Sequence, residues 1–308
     1  MGEPPFDRDH APAYGVVERL APGLRVVTAR NPGPMTFTGT RSYILGSGEV
    51  AVIDPGPADP AHLRALEAAL APGERVRAVL VSHSHRDHSA GAAAFASRVK
   101  APVLAHGDAA GVRSAAMARL AAAGILGGGE GVDGDFRPDV RLGEGERVAG
   151  PGWTLTALHT PGHLGDHLCF AWAEGDAIFS GDMVMGWATT MISPPDGDLA
   201  DFRASVARLQ ARGEAVYYPG HGKPVTDPRR LLAWLLAHRA EREAEILARL
   251  AAGPATVAEL TAAIYAAVDR VMWPAAGRNV LAHLVDLAGR GLVRPEGRLS
   301  AEARFGLV

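Results

Sequence analysis

The chain has one cysteine, Cys169, in 308 residues, which excludes an internal disulfide and any metal site built from paired thiolates. Its neighbours in His167-Leu168-Cys169-Phe170-Ala171-Trp172 are mostly apolar and strand-like, so the thiol is expected to be buried and inert. Lysine is nearly absent, confined to Lys100 and Lys223, and no run of basic residues occurs; at a formal net charge of -3 there is no footprint for double-stranded DNA. No apolar stretch approaches the roughly 18 to 20 residues a membrane-spanning helix requires, so no membrane partner is expected. The opening MGEPPFDRDHAPAYG holds acids and prolines and lacks the apolar core of a secretory leader, which makes the cytoplasm the expected compartment. What remains, 47% hydrophobic and 21% charged residues, is the balance of a soluble globular chain long enough for one large domain and a small appendage.

Against these absences stands one dense hexapeptide, His83-Ser84-His85-Arg86-Asp87-His88, in which four side chains can bind a metal through nitrogen or oxygen. It follows Val76, Ala78, Val79, Leu80 and Val81, a short β-branched run that reads as a buried strand, so the ligands sit at a strand's C-terminal end. If the chain stays extended, His83, His85 and Asp87 converge while His88 turns aside, giving two neighbouring metal sites. From His88 through Phe95 the residues read as a helix start. Three further strand ends finish in Gly-containing turns, each with one ligand. Thr160-Pro161-Gly162-His163 follows the alternating Trp153, Leu155 and Leu158; Phe179-Ser180-Gly181-Asp182 follows Ala177-Ile178; Tyr217-Tyr218-Pro219-Gly220-His221-Gly222 follows Ala215-Val216.

In this order, HxHxDH, TPGH, SGD and PGHG, the motifs resemble the hydrolase signature of the metallo-β-lactamase superfamily over about residues 15–225. The resemblance implies an α+β fold, a four-layer αβ/βα sandwich, as a hydrolase domain at residues 1–225. It implies that His83, His85 and His163 hold one metal, that Asp87, His88 and His221 hold a second, and that Asp182 bridges them. Asp54, in Val52-Ile53-Asp54-Pro55-Gly56, matches the family's early acidic position and is expected to order the site from behind the ligands. Two Zn2+ per chain are expected, the same donors also accepting manganese or iron. Such a pair, about 4 Å apart, shares a water and lowers its pKa to about 7, with Asp87 as the catalytic group that orients the bridging hydroxide and takes its proton.

Asn31-Pro32-Gly33-Pro34-Met35-Thr36, the HRDHSAG wording, and Gly181 to Gly186 running into Ser193-Pro194-Pro195-Asp196-Gly197 resemble the lactamase-like subfamily that includes a mammalian mitochondrial endoribonuclease. That branch adds a small winged-helix domain, expected here at 226–308. An amphipathic helix through Leu232, Leu236, Ala240, Ala244 and Leu247 fits it, with a break at Gly253-Pro254. Short helices at 257–268 and 280–287 and a small hairpin over 291–299 complete it. Residues 254–308 carry six arginines against five acids, which points to packing or a lid rather than DNA. Arg41-Ser42 departs from the Asn-Thr expected in close relatives.

The expected function is a dinuclear metal-dependent hydrolase acting on a small ester, thioester or lactone. The alternatives are cleavage of single-stranded RNA, which needs only a local groove, and an iron-dependent sulfur dioxygenase-like oxidoreductase. Flavodiiron relatives carry glutamate where this chain has His85, and true β-lactam hydrolases lack an aspartate like Asp182. Gly129 to Gly134 matches GxGxxG but follows an Ala-rich helical stretch, so a mobile surface loop is expected in place of a dinucleotide site. His159 and His167 are expected to support the site or wall it, and His10, His62, His106, His238 and His283 to be structural or solvated. Met183, Met185, Trp187 and Met191 read equally as a pocket wall or as core.

Overall fold

The computed structural model describes residues 3–124 and 131–308. One sheet of seven strands runs in chain order: β1 (Val17–Ala21), β2 (Leu24–Thr28), β3 (Arg41–Ser47), β4 (Glu49–Ile53), β5 (Arg75–Leu80), β6 (Val103–Ala105) and β7 (Val140–Arg141). A second sheet holds β8 (Arg147–Gly150), β9 (Trp153–His159), β10 (Leu168–Trp172), β11 (Ala177–Gly181) and β12 (Val216–Pro219), in the order β12-β11-β10-β9-β8. The helices are α1 (Pro60–Ala68), α2 (Arg86–Ser89), α3 (Ala92–Val99), α4 (Ala115–Ala122), α5 (Leu199–Gln210), α6 (Pro228–Leu250), α7 (Val257–Ile264) and α8 (Trp273–Gly289).

Period-two burial explains the layers. Alternate residues of both sheets, among them Tyr43, Ile53, Leu80, Trp153, Leu155, Phe170 and Phe179, interdigitate in one core between the sheets. The opposite face of the first sheet, with Ile44, Val52 and Val79, packs on Leu63 and Leu66 of α1 and Phe95 of α3. The opposite face of the second, with Cys169, Ile178 and Tyr217, packs on Phe202 of α5 and Leu231 and Leu235 of α6. The result is the expected four-layer αβ/βα sandwich. Cys169 is buried and free, its thiol pushed up to about 12 by burial.

Strand direction decides where chemistry gathers. β4 and β5 are parallel to each other, β9 and β11 both run antiparallel to β10, and β12 runs parallel to β11. The C-terminal ends of β9, β11 and β12 therefore share one edge of their sheet, and those of β4 and β5 share one edge of the other. Tyr43 ties the two sheets together there, its hydroxyl donating to Pro219 O at 2.6 Å.

The C-terminal part departs from expectation in register. α6 is a single 23-residue helix, and Ala240 and Ala244 of the expected stripe are exposed. Its buried face is instead Leu231, Leu232, Leu235, Arg239, Ile246 and Leu250, with the first three in the sandwich core and the last two in the C-terminal core. α7 stops at Ile264, and α8 starts at Trp273, seven residues earlier than the sequence suggests. Thr256 opens α7 with a capping box to Glu259. The hairpin is wider than 291–299: β14 (Val293–Pro295) pairs with β15 (Arg304–Leu307), and β13 (Ala255–Thr256) flanks β15. Among the described residues no helix is long and apolar enough to cross a membrane.

Candidate metal centre

The expected seven side chains meet at the shared edge. His83, His85, His163 and Asp182 form one group and Asp87, His88 and His221 another, with one candidate ligand atom per residue and those atoms within 4.8 Å of one another in each group. This grouping corrects the alternation argument. The chain does not stay extended past His85, because α2 begins at Arg86. His88 N and Ser89 N both donate to His85 O at 2.9 Å, and that turn swings Asp87 away from His83 and His85 to join His88. The expected helix from His88 is also split, with α3 starting only at Ala92. Gly91 lies between, where a Cβ would come within 2.9 Å of Gly56 O and Pro57 O.

Four of the five histidines are aimed by their far nitrogen. Ser82 Oγ donates to Asp54 Oδ2 at 2.8 Å and accepts from His83 Nδ1 at 2.9 Å. His163 Nδ1 donates to Met191 O at 2.8 Å, His88 Nδ1 to Asp54 Oδ2 at 2.9 Å, and His221 Nδ1 to Gly39 O at 3.2 Å. The Nε2 lone pairs of these four rings are thereby turned toward common space. There His83 Nε2 and His163 Nε2 lie 2.9 and 3.0 Å from His85 Nδ1, and His88 Nε2 lies 3.3 Å from His221 Nε2. Nitrogen lone pairs this close repel unless something positive lies among them, which is the fit a divalent cation in each group satisfies.

Asp182 stands between the groups. Its Oδ1 is 3.5 Å from His88 Nε2, and its Oδ2 is 3.5 Å from His221 Nε2 and 3.7 Å from His163 Nε2. Oδ1 is buried without a hydrogen-bond partner among the described residues, an orphan acceptor aimed where a cation would sit.

The electrostatics separate the groups. Burial, then the neighbouring His88 and His85, hold His83 well below the imidazole range. Burial and His163 bring His85 down to about 3. For His88, burial is outweighed by Asp87, Asp182 and Asp54, which push it well above that range; Asp182 and Asp87 raise His221 to about 9 against burial. Burial would raise Asp87 and Asp182, but His88 and His221 keep both ionised. The carboxylates thus create a field that demands positive charge on the Asp87–His88–His221 side.

Asp54 takes the supporting role expected of it. Its backbone sits at φ +52, a strained conformation for a non-glycine residue. Its carboxylate accepts from Ser82 N at 2.7 Å, Ser82 Oγ and His88 Nδ1, linking both groups. His167 also supports the site, accepting from Asp182 N at 3.2 Å through Nε2 while Nδ1 meets Thr160 Oγ1 at 2.9 Å. His159 lies outside, stacked on His106 at 3.9 Å with Nε2 on Gly165 O. His62 bonds Ser42 Oγ, and His10 bonds Thr38 Oγ1 and Arg41. The departure at Arg41 thus anchors the N-terminal segment. Met183 and Met185 are buried, whereas Trp187 is half-buried and stacks on Phe37 at 4.7 Å beside Gly222, the residue after His221.

Several contributors escaped sequence reasoning. Thr40 Oγ1 donates to Asp87 Oδ2 at 3.1 Å and is itself held by Asn31. Asn31 belongs to the Asn31-to-Thr36 motif, but nothing local ties it to Asp87. Asp166 is buried and accepts from Ser84 N at 3.1 Å, between His83 and His85 in the chain. Of the Gly129–Gly134 stretch, Gly129 and Glu130 lie outside the described residues. The rest is no free surface loop: Gly131 O accepts from Arg86 N at 2.6 Å and Asp133 N donates to Ser84 O at 2.7 Å.

Comparison with known proteins accords with this arrangement. Residues 35–221 match the metallo-beta-lactamase superfamily, and residues 256–302 match the beta-lactamase associated winged helix domain. An atrochrysone carboxyl ACP thioesterase of Aspergillus fumigatus is 31% identical over 267 residues, spanning 81% of this chain and 75% of its own. A crystal structure of a metallo-beta-lactamase family protein from Thermus thermophilus has a TM-score of 0.74 at 27% identity, covering 94% of this chain and 99% of that one. The protein TTHA1623, solved in a di-iron-bound form, is 28% identical with a TM-score of 0.51, covering 68% of this chain and 96% of its own. The chain belongs to the metallo-beta-lactamase superfamily of hydrolytic enzymes and carries that family's associated winged helix domain at its C-terminal end.

Proposed function

We propose that this protein is a dinuclear hydrolase of small acyl substrates, thioesters first and esters or lactones next, with His83, His85 and His163 around one zinc ion, Asp87, His88 and His221 around a second, and Asp182 between them. The observation that carries it is the position of Asp182, whose two oxygens lie within 3.7 Å of ring nitrogens from both groups. Two divalent cations held there supply Lewis acidity and a water acidic enough to lose its proton near pH 7.

The chain's own groups do the rest. Asp87, kept ionised by His88 and His221 and oriented by Thr40 Oγ1, accepts the proton of the attacking water. Attack forms a C–O bond at the acyl carbon, the C–S bond breaks with its electron pair going to sulfur, and the proton passes from Asp87 to the departing group or to solvent. A thioester asks least of such a site, since a thiolate leaves readily without prior protonation. The Phe37–Trp187 stack beside Gly222 offers an apolar wall for the acyl group. The thioesterase name of the Aspergillus fumigatus relative supports the same substrate class.

The test is one assay on the zinc-loaded chain with a panel of acyl thioesters, esters and lactones beside a single-stranded RNA. Thioester turnover well above that of the other acyl compounds, with RNA intact, is expected. Cleavage of RNA with no acyl turnover would overturn the proposal.

A further inference from the structure

Resting on that two-metal reading, we propose that the C-terminal domain is a working part of the metal centre: Asn279 of α8 and Arg239 of α6 are positioning residues that hold the carbonyl which aims His163. The carbonyl is that of Met191, which accepts from His163 Nδ1 at 2.8 Å. It sits in an irregular stretch between the end of β11 at Gly181 and the start of α5 at Leu199, so no sheet or helix ladder fixes it.

Its two neighbours are fixed from outside instead. On one side, Thr190 O accepts from Arg239 Nη2, while Thr190 Oγ1 donates to Asp182 O at 2.8 Å and Met183 O at 3.1 Å. On the other side, Ile192 N donates to Asn279 Oδ1 at 3.2 Å, and the same oxygen accepts from Arg239 Nη1 at 2.9 Å. Asn279 Nδ2 is spent on Ala275 O, which fixes which end of the amide faces the loop. Thr190, Ile192 and Arg239 are all buried. One guanidinium and one amide thus clamp the residues before and after Met191. The same tripeptide grips the backbone of Asp182, so the clamp reaches a ligand of each kind.

Plain domain packing is carried by other groups. Arg203 of α5 meets Glu243 of α6 at 2.5 Å and Asp286 of α8 at 2.9 Å, and Arg290 meets the same two acids at 2.7 and 3.0 Å. That network joins the three helices without touching residues 190–192, and it serves as the control.

The experiment uses the full chain loaded with Co2+, read by its visible spectrum, and with Zn2+, read by competition against a chelator, with thermal unfolding alongside. Asn279→Ala is expected to change the cobalt spectrum and to weaken zinc about tenfold, the usual cost of losing a group behind a ligand. Asn279→Asp, which keeps the acceptor, is expected to restore both. Arg203→Ala is expected to lower the melting temperature while leaving spectrum and affinity unchanged. Should Asn279→Ala not fold, Arg239→Lys carries the same readout, since it keeps the charge but loses the fork that reaches both oxygens. An unchanged spectrum and affinity in a folded Asn279→Ala, or an equal change in Arg203→Ala, overturns the proposal. Wild-type chain that binds no cobalt overturns the two-metal reading beneath it.

Discussion

Two sets of buried histidines in the chain are treated oppositely. At the sandwich edge His83, His88, His163 and His221 each have the far ring nitrogen tied to a serine, a carbonyl or a carboxylate and the near one turned inward. In the C-terminal half His283, on α8, is 1% exposed, and neither ring nitrogen has a hydrogen-bond partner among the described residues. Burial and then Arg239 bring it down to about 2, so it stays neutral. A buried imidazole by itself is therefore no sign of chemistry. What marks the metal centre is a second partner on four of its five rings, which turns a costly polar group into an oriented donor.

Breaking the oriented set gives the largest expected effect. Asp54→Asn tolerates the left-handed backbone at this position but puts an NH2 where an oxygen accepted, facing either Ser82 N–H or His88 Nδ1–H. Zinc affinity on the Asp87–His88–His221 side is expected to fall about 10- to 100-fold, measured by chelator competition. Retention of wild-type affinity would mean that Asp54 only shapes the turn.

The unpartnered histidine sharpens the contrast from the other side. His283 titrates near pH 6.5 when unfolded but has a depressed pKa when folded. Its neutral form is therefore fully compatible with the fold above about pH 6.5, and stability is lost progressively as pH falls below that, because the unfolded chain binds the extra proton. His283→Leu is expected to remove up to about 1.4 kcal/mol per pH unit from the dependence of unfolding free energy between about pH 6 and 3. Turnover at neutral pH should not change. Urea titrations at several pH values check it, and equal slopes for both proteins would show that the site is not neutral when folded.

The difference between the two regions also governs what could be read beforehand. The candidate ligands were legible because all follow apolar strands, four in one dense hexapeptide and three at glycine-bearing turns, and such patterns are local. The pairing of Asp87 with His88 against His83 and His85 came only from the motif resemblance and was misjudged by strand alternation, since it depends on the chain turning helical at Arg86 under the hold of Gly131. Arg239 and Asn279 were invisible for another reason: they reach Thr190 and Ile192 across 49 and 87 positions, and no spacing rule connects them. Of the expected hairpin only the return strand escaped, because Arg304–Leu307 mixes a charge and a glycine into four residues. The sandwich itself came from the motif resemblance; alternation such as Trp153 and Leu155 in β9 indicated only a strand.

The most direct measurement is the metal content of the purified chain beside that of Asp182→Ala, with thioester turnover recorded on the same samples. About two zinc ions per wild-type chain, with clear loss of metal and of turnover together in the variant, is the predicted result. One ion or none in the wild type, or full turnover in Asp182→Ala, would contradict it.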